Sequence, residues 1–201
     1  MELGLKNKSA IVTGGSRGIG LAIAKALAAE GVNVSICGRD TARLETAEAQ
    51  VKAAGGKVHT ASVDVGNADA LERYVSAAAD ALGGLDILVN NASAFGRSND
   101  EGGWRSSFDV DLMGSVRGSW AAVPLMASRG GGAIVHISSI AGLRASTRTP
   151  PYGAVKAALV QYTMTQAVEL AAQKIRINCI APGSIYFDEG TWGEAKRNNP
   201  K

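Results

Sequence analysis

Short, continuously apolar runs recur along the chain, each followed by a longer stretch rich in alanine and other helix formers. Ala10-Ile11-Val12 is the first, and runs of the same kind end near residues 37, 61, 89, 137 and 180. An apolar run with no polar alternation suits a strand covered on both faces, as in a parallel sheet. Strands are expected over 8–13, 32–37, 57–61, 85–89, 132–137 and 175–180. The stretches between them predict helices over 18–30, 40–54, 67–82, 104–128 and 153–173. Strands that alternate with helices wind into an open parallel α/β sheet, because right-handed crossovers place helices on both faces. The expected strand order is 3-2-1-4-5-6, with ligands bound beyond the carboxyl ends of the strands where that order reverses. No long linker or low-complexity segment breaks the alternation, so residues 1–201 are expected to form one domain.

The chemistry-bearing residues fall where such a sheet would gather them. After the first strand comes Thr13-Gly14-x-x-x-Gly18-x-Gly20, then a helix closed by Gly31. Glycines let a backbone approach a ligand closely, and the free N–H groups at a helix start receive negative charge, so strand, turn and helix suit a pyrophosphate. The spacing is not the G-x-G-x-x-G of the commonest dinucleotide fingerprint. Further along, Tyr152 and Lys156 stand four apart, which puts them on one helix face. A neighbouring ammonium favours a phenolate, and a phenol needs that help to exchange protons near neutrality. Ser139, thirteen residues before Tyr152, could hold a carbonyl oxygen. Ser138 beside it would point to the opposite face of its strand.

These motifs, with Asn90-Asn91-Ala92 and Pro182-Gly183, occur in the order and spacing of the short-chain dehydrogenase/reductase family, which the chain resembles from about residue 5 to 185. The resemblance implies a Rossmann-type sheet and hydride transfer between a nicotinamide and a carbonyl or secondary alcohol. Tyr152 would be the acid/base, Lys156 would lower its pKa and hold the nicotinamide ribose, and Ser139 would bind the substrate oxygen. By the same resemblance the cofactor would lie against Thr13, Gly14, Ser16, Arg17, Gly18, Ile19 and Gly20. Asp64 and Val65 would meet the adenine, Asn90 the ribose with Ala92 in the same turn, and Pro182, Gly183 and Ile185 the nicotinamide. Ser93 stands where the family commonly has Gly, and Phe187 where many members have a Thr that contacts the cofactor.

Where an acid would accept the adenosine ribose hydroxyl, the second strand ends Gly38-Arg39-Asp40. Arg39, with Arg17 in the glycine turn, would clamp a 2′-phosphate, so NADP(H) is favoured over NAD(H). Asp40 would be the ribose acid if the strand ended one residue later. The family's fourth catalytic residue is an Asn seven positions after a Trp. Here Trp104 leads to Asp111, which can accept a hydrogen bond but cannot donate one while ionised. The family's last helix and seventh strand have no counterpart within 201 residues, and 184–201 reads as the start of a substrate lid. Asp111 and the short end leave open a non-catalytic nucleotide-binding protein, or a shortened inactive chain.

Composition adjusts this picture only slightly. A chain with 46% hydrophobic and 19% charged residues suits a soluble α/β domain. A net charge of +3 with scattered basic residues, and only 5% aromatics, argues against a nucleic-acid partner. No apolar run reaches the length of a membrane span, and the N-terminus has no signal-peptide pattern. Cys37 and Cys179, each in an apolar run, read as core residues of a reducing compartment, and cytoplasm is the expected location. His59 and His136, inside expected strands, read as buried hydrogen-bonded residues, and no ligand cluster predicts a metal. The helices over 104–128 and 153–173 would, by resemblance, pair across a two-fold axis in a homodimer or homotetramer.

Overall fold

The structure, a computed structural model, describes residues 2–188 and 190–198. Six strands form one parallel sheet: β1 (Ser9–Thr13), β2 (Asn33–Gly38), β3 (Val58–Ser62), β4 (Ile87–Asn90), β5 (Gly132–Ile137) and β6 (Ile175–Ile180). Their order is β3-β2-β1-β4-β5-β6, so the direction of winding reverses between β1 and β4. Ala10 of β1 lies opposite Val34 of β2 on one side and Ile87 of β4 on the other.

Every residue of β1 is buried because both faces are covered. Ala10 and Val12 face a core made with Ala24 and Ala28 of α1 (Gly18–Ala29) and Leu44 and Val51 of α2 (Thr41–Ala54). Ile11 faces the opposite core, which includes Leu71 and Val75 of α3 (Ala68–Leu82) and Met126 of α5 (Gly114–Ser128). The helices begin where the sequence supplies caps. Asp40 accepts the Arg43 N–H at the start of α2, and Asn67 that of Ala70 at the start of α3. Gly83 ends α3 with φ +79°.

Two helices differ from the sequence expectation. The helix expected over 104–128 is three pieces: α4 (Glu101–Ser106), a π-helical segment (Ser107–Met113) and α5. The helix expected from 153 begins earlier, as α6 (Pro150–Glu169), because two prolines suit the first helical positions, whose N–H groups have no partner anyway. Its expected end, Ala171–Gln173, is a 3₁₀ turn closed by Lys174 with φ +58°. A last helix, α7 (Thr191–Asn198), occupies part of the stretch read as the start of a lid; residues 189 and 199–201 of that stretch lie outside the described residues.

Candidate active site

The turn from β1 into α1 is fastened to the end of β4. The Thr13 hydroxyl accepts the N–H groups of Asn91 and Ala92 at 3.0 and 3.1 Å and donates to the Val89 carbonyl at 3.4 Å. The Asn91 amide donates to the carbonyls of Thr13 and Gly14 at 2.9 and 3.1 Å. Gly14 has φ +65°, and a Cβ there would lie 2.8 Å from the Ala92 Cα, so only glycine fits. Beyond the turn, Gly18, Ile19 and Gly20 open α1 with backbone N–H groups that have no carbonyl one turn before them. Ser16 lies half-buried beside Gly38, and Arg17 is exposed at the N-cap position.

Arg39 is exposed just past β2, while Asp40 is engaged in capping α2 and in an ion pair with Arg43 at 3.1 Å. The ring of Phe187 lies against Gly18: a Cβ on that glycine would be 2.8 Å from the ring's Cζ.

Other residues expected to touch a cofactor are engaged in part by the protein itself. Asn90 is buried in β4, and its amide donates to the Ser115 carbonyl at 3.2 Å and approaches His136 Nδ1 at 3.2 Å. Its side chain therefore faces α5 and the core, and Asn91 is the residue at the glycine turn. Strand alternation could not separate the two, because β4 is covered on both sides. Thr13 is buried with its hydroxyl fully engaged, so it braces the turn. Val65 is buried beside Gly114, and the Asp64 carboxylate accepts the Gly66 N–H at 3.0 Å. Ala92 stays at the turn, packed on Gly14. Pro182 is tied to the Ser139 region through its carbonyl, which accepts the Ile140 N–H at 2.9 Å, while Gly183 and Ile185 are exposed.

At the end of β5 the second cluster assembles. Ser138 is buried and donates to the Lys156 carbonyl at 2.9 Å, which fixes α6 against the strand. Ser139, facing the other way as alternation requires, accepts the Ala141 N–H at 3.1 Å and lies in hydrogen-bonding reach of the Tyr152 phenol. Lys156, one turn after Tyr152 on α6, donates to the Ile137 carbonyl at 2.9 Å, and its Nζ is 5.5 Å from the centre of the Tyr152 ring. Asp111, in the π-helical segment, brings Oδ1 to 3.3 Å from that Nζ. Tyr152 also receives the ring of Phe95 edge-on at 4.9 Å. Phe95 holds a left-handed φ of 52°, braced by its N–H to the Ser93 hydroxyl at 3.1 Å. No sequence signal marks this aromatic contact.

The electrostatics run against the expectation that Lys156 lowers the phenol's pKa. Burial pushes Tyr152 up, the Ser139 hydrogen bond pulls it back, and the Asp111 charge pushes it up again. Burial also pushes Lys156 down, which Asp111 opposes. Elsewhere, His136 is buried, with Nε2 3.0 Å from Gln166 Oε1, and His59 pairs with the Ser35 hydroxyl at 2.9 Å. Cys37 is buried, its thiol pushed up to about 11 by desolvation, and Cys179 is half-buried. Among the described residues no helix is long and apolar enough to cross a membrane.

The sequence model of the short chain dehydrogenase family matches residues 8–194. The chain belongs to this family. It is 42% identical over 195 residues to dehydrogenase/reductase SDR family member 4 of Oryctolagus cuniculus, covering 94% of this chain and 75% of that protein. The fold superposes on L-sorbose reductase from Gluconobacter frateurii, solved with NADPH and L-sorbose, with a TM-score of 0.92. That match has 34% identity and covers 99% of this chain and 78% of the other. It also superposes on an NAD+-bound xylitol dehydrogenase with a TM-score of 0.89, at 29% identity and 96% and 75% coverage. As a short-chain dehydrogenase/reductase the chain is an oxidoreductase of the class that uses nicotinamide cofactors on alcohols and carbonyls.

Proposed function

We propose that this short-chain dehydrogenase/reductase is an NADP(H)-dependent enzyme that interconverts a small-molecule carbonyl and a secondary alcohol, with Tyr152 as the proton donor and acceptor. The observation that carries the reading is the meeting of Ser139, Tyr152 and Lys156 beside the loop of Pro182, at the same edge of the sheet as the glycine turn. The residues present fit a dinucleotide: a cradle at Gly14 and Gly20 too tight for any side chain, and next to it the first N–H groups of α1, which no carbonyl of the helix accepts. When bound, the nicotinamide supplies or takes the hydride.

The protein's share is orientation and the proton. Ser139 holds the carbonyl oxygen, and Tyr152 protonates that oxygen as it gains negative charge, or takes the proton from an alcohol in the reverse direction. Lys156, on the same helix face, would hold the cofactor's ribose. Arg17 and Arg39, both exposed and on the loops after adjacent strands, supply the positive charge that a 2′-phosphate selects, while Asp40 stays with α2. Residues 184–188 and 190–198 form part of the substrate side, and the exposed apolar faces of α5 and α6 pair two copies.

The test is consumption of NADPH and NADH against a panel of small ketones, with Tyr152→Phe alongside. The expected result is turnover with preference for NADPH and a loss of roughly 100-fold or more in Tyr152→Phe. Equal rates in Tyr152→Phe would remove Tyr152 from the chemistry, and no NADPH preference would remove the arginine clamp.

A further inference from the structure

Asp111 has no exposed surface, and the Lys156 side chain is 3% exposed. Two opposite charges therefore stand 3.3 Å apart, shut away from water, within a turn of Tyr152. Each is held by a second bond to fixed backbone. Asp111 Oδ2 accepts the Ala94 N–H at 3.0 Å, and Lys156 donates to the Ile137 carbonyl at 2.9 Å. Asp111 Oδ1 receives no hydrogen bond of good angle, so its contact with Nζ is an ion pair by distance.

The π-helical segment from Ser107 to Met113 is the element that presents this carboxylate. A π-turn holds an extra residue and lies frequently at functional sites.

We propose that Asp111 is a positioning residue that takes up the charge of Lys156 and so holds Tyr152 in its proton-donating form, the form that carbonyl reduction needs. The inference rests on the reading of Tyr152 as the acid/base. An unopposed ammonium a few ångströms from a phenol favours the phenolate. A carboxylate at 3.3 Å from the same ammonium largely cancels that pull.

Other polar and charged groups stand around the pair on the neighbouring elements. From the end of β5 the Ser139 hydroxyl faces Tyr152, and from the loop after β4 the Phe95 ring does, with Arg97 stacked on that ring at 4.9 Å. From β6 Cys179 faces Lys156, and from β5 His136 does. Burial, with the Lys156 charge, pushes His136 down, which keeps it neutral.

The sign follows directly. With Tyr152 held above the usual phenol value, the protonated donor persists to higher pH, and the phenolate that alcohol oxidation needs appears only as pH rises further. Replacing Asp111 by Asn leaves the Ala94 N–H an acceptor but frees the Lys156 charge, so Tyr152 should lose its proton at lower pH.

The experiment is an ultraviolet titration of tyrosinate, with the Tyr152 signal taken as the difference between each protein and its Tyr152→Phe counterpart. Asp111→Asn is expected to lower the Tyr152 midpoint by about one unit or more, and Asp111→Asn/Lys156→Gln to bring it back towards the parent value. A midpoint that does not fall in Asp111→Asn overturns the proposal. So does one that stays low once Lys156 is replaced as well, because the freed charge would then not be that of Lys156. No substrate or cofactor enters the titration. A chain that shifts as expected yet reduces no ketone would sink the proposed ketone-reducing function while leaving the effect of Asp111 on Tyr152 in place.

Discussion

Thr13 shows how much of this site depends on one hydroxyl. Its oxygen accepts two backbone N–H groups just past β4 and donates to Val89 within it, so the ends of two strands meet on one atom. Valine has the same shape and none of these bonds. Thr13→Val leaves the Asn91 and Ala92 N–H groups without an acceptor, at a cost of about 1–3 kcal/mol for each such group that stays dry. A loss of about 2 kcal/mol or more in urea unfolding is expected; a loss below about 0.5 kcal/mol would show that those amides find other acceptors. At the same scale, Asp40 and Arg39 differ by one position and by everything in consequence. The acid is spent on the N-terminus of α2, and the neighbouring arginine remains exposed towards the end of the sheet.

The elements differ in how plainly the sequence announces them. The strands were legible almost to the residue: Gly132–Ile137 and Ile175–Ile180 match their expected bounds, because a strand buried on both faces needs an unbroken apolar run. The helix through Asp111 was not. Its π-segment is a choice of hydrogen-bond register, stabilised by partners far away in sequence, Ala94 and Lys156, and propensity is blind to those. Tyr152-x-x-x-Lys156 and Ser139 were singled out by their spacing together with the family resemblance, since the spacing alone is common on solvated helices, whereas the inward turn of Asn90 was hidden by the burial of both faces of β4.

The segment after β6 was half legible. Phe187 stood out as an unusual residue for its position, but its seat on Gly18 depends on how the loop folds back. A phosphate group approaching the first N–H groups of α1 meets that ring. Phe187→Thr is therefore expected to tighten NADPH binding several-fold in a fluorescence titration, and unchanged affinity would show that the ring stands clear of the ligand.

On the scale of the whole molecule, α5 and α6 bury one face against the sheet and leave Trp120 63%, Met164 55% and Val168 81% exposed. Apolar side chains left exposed on these two helices are the surface by which two copies are proposed to pair. The chain is expected to sediment as a dimer or larger, and Trp120→Glu with Val168→Glu to give a monomer; a parent protein that is already monomeric at high concentration would contradict this. The sheet order carries a different kind of consequence. β1 meets β2 after one connection, but its other neighbour is β4, and the Thr13 hydroxyl bonds to a residue 78 positions away. During synthesis the β1-β2-β3 half can gather first, since its contacts span the shorter loops. The glycine turn receives its bracing only after residue 92 has left the ribosome and docked, so the half-made protein carries the right glycines without the shape that makes them useful.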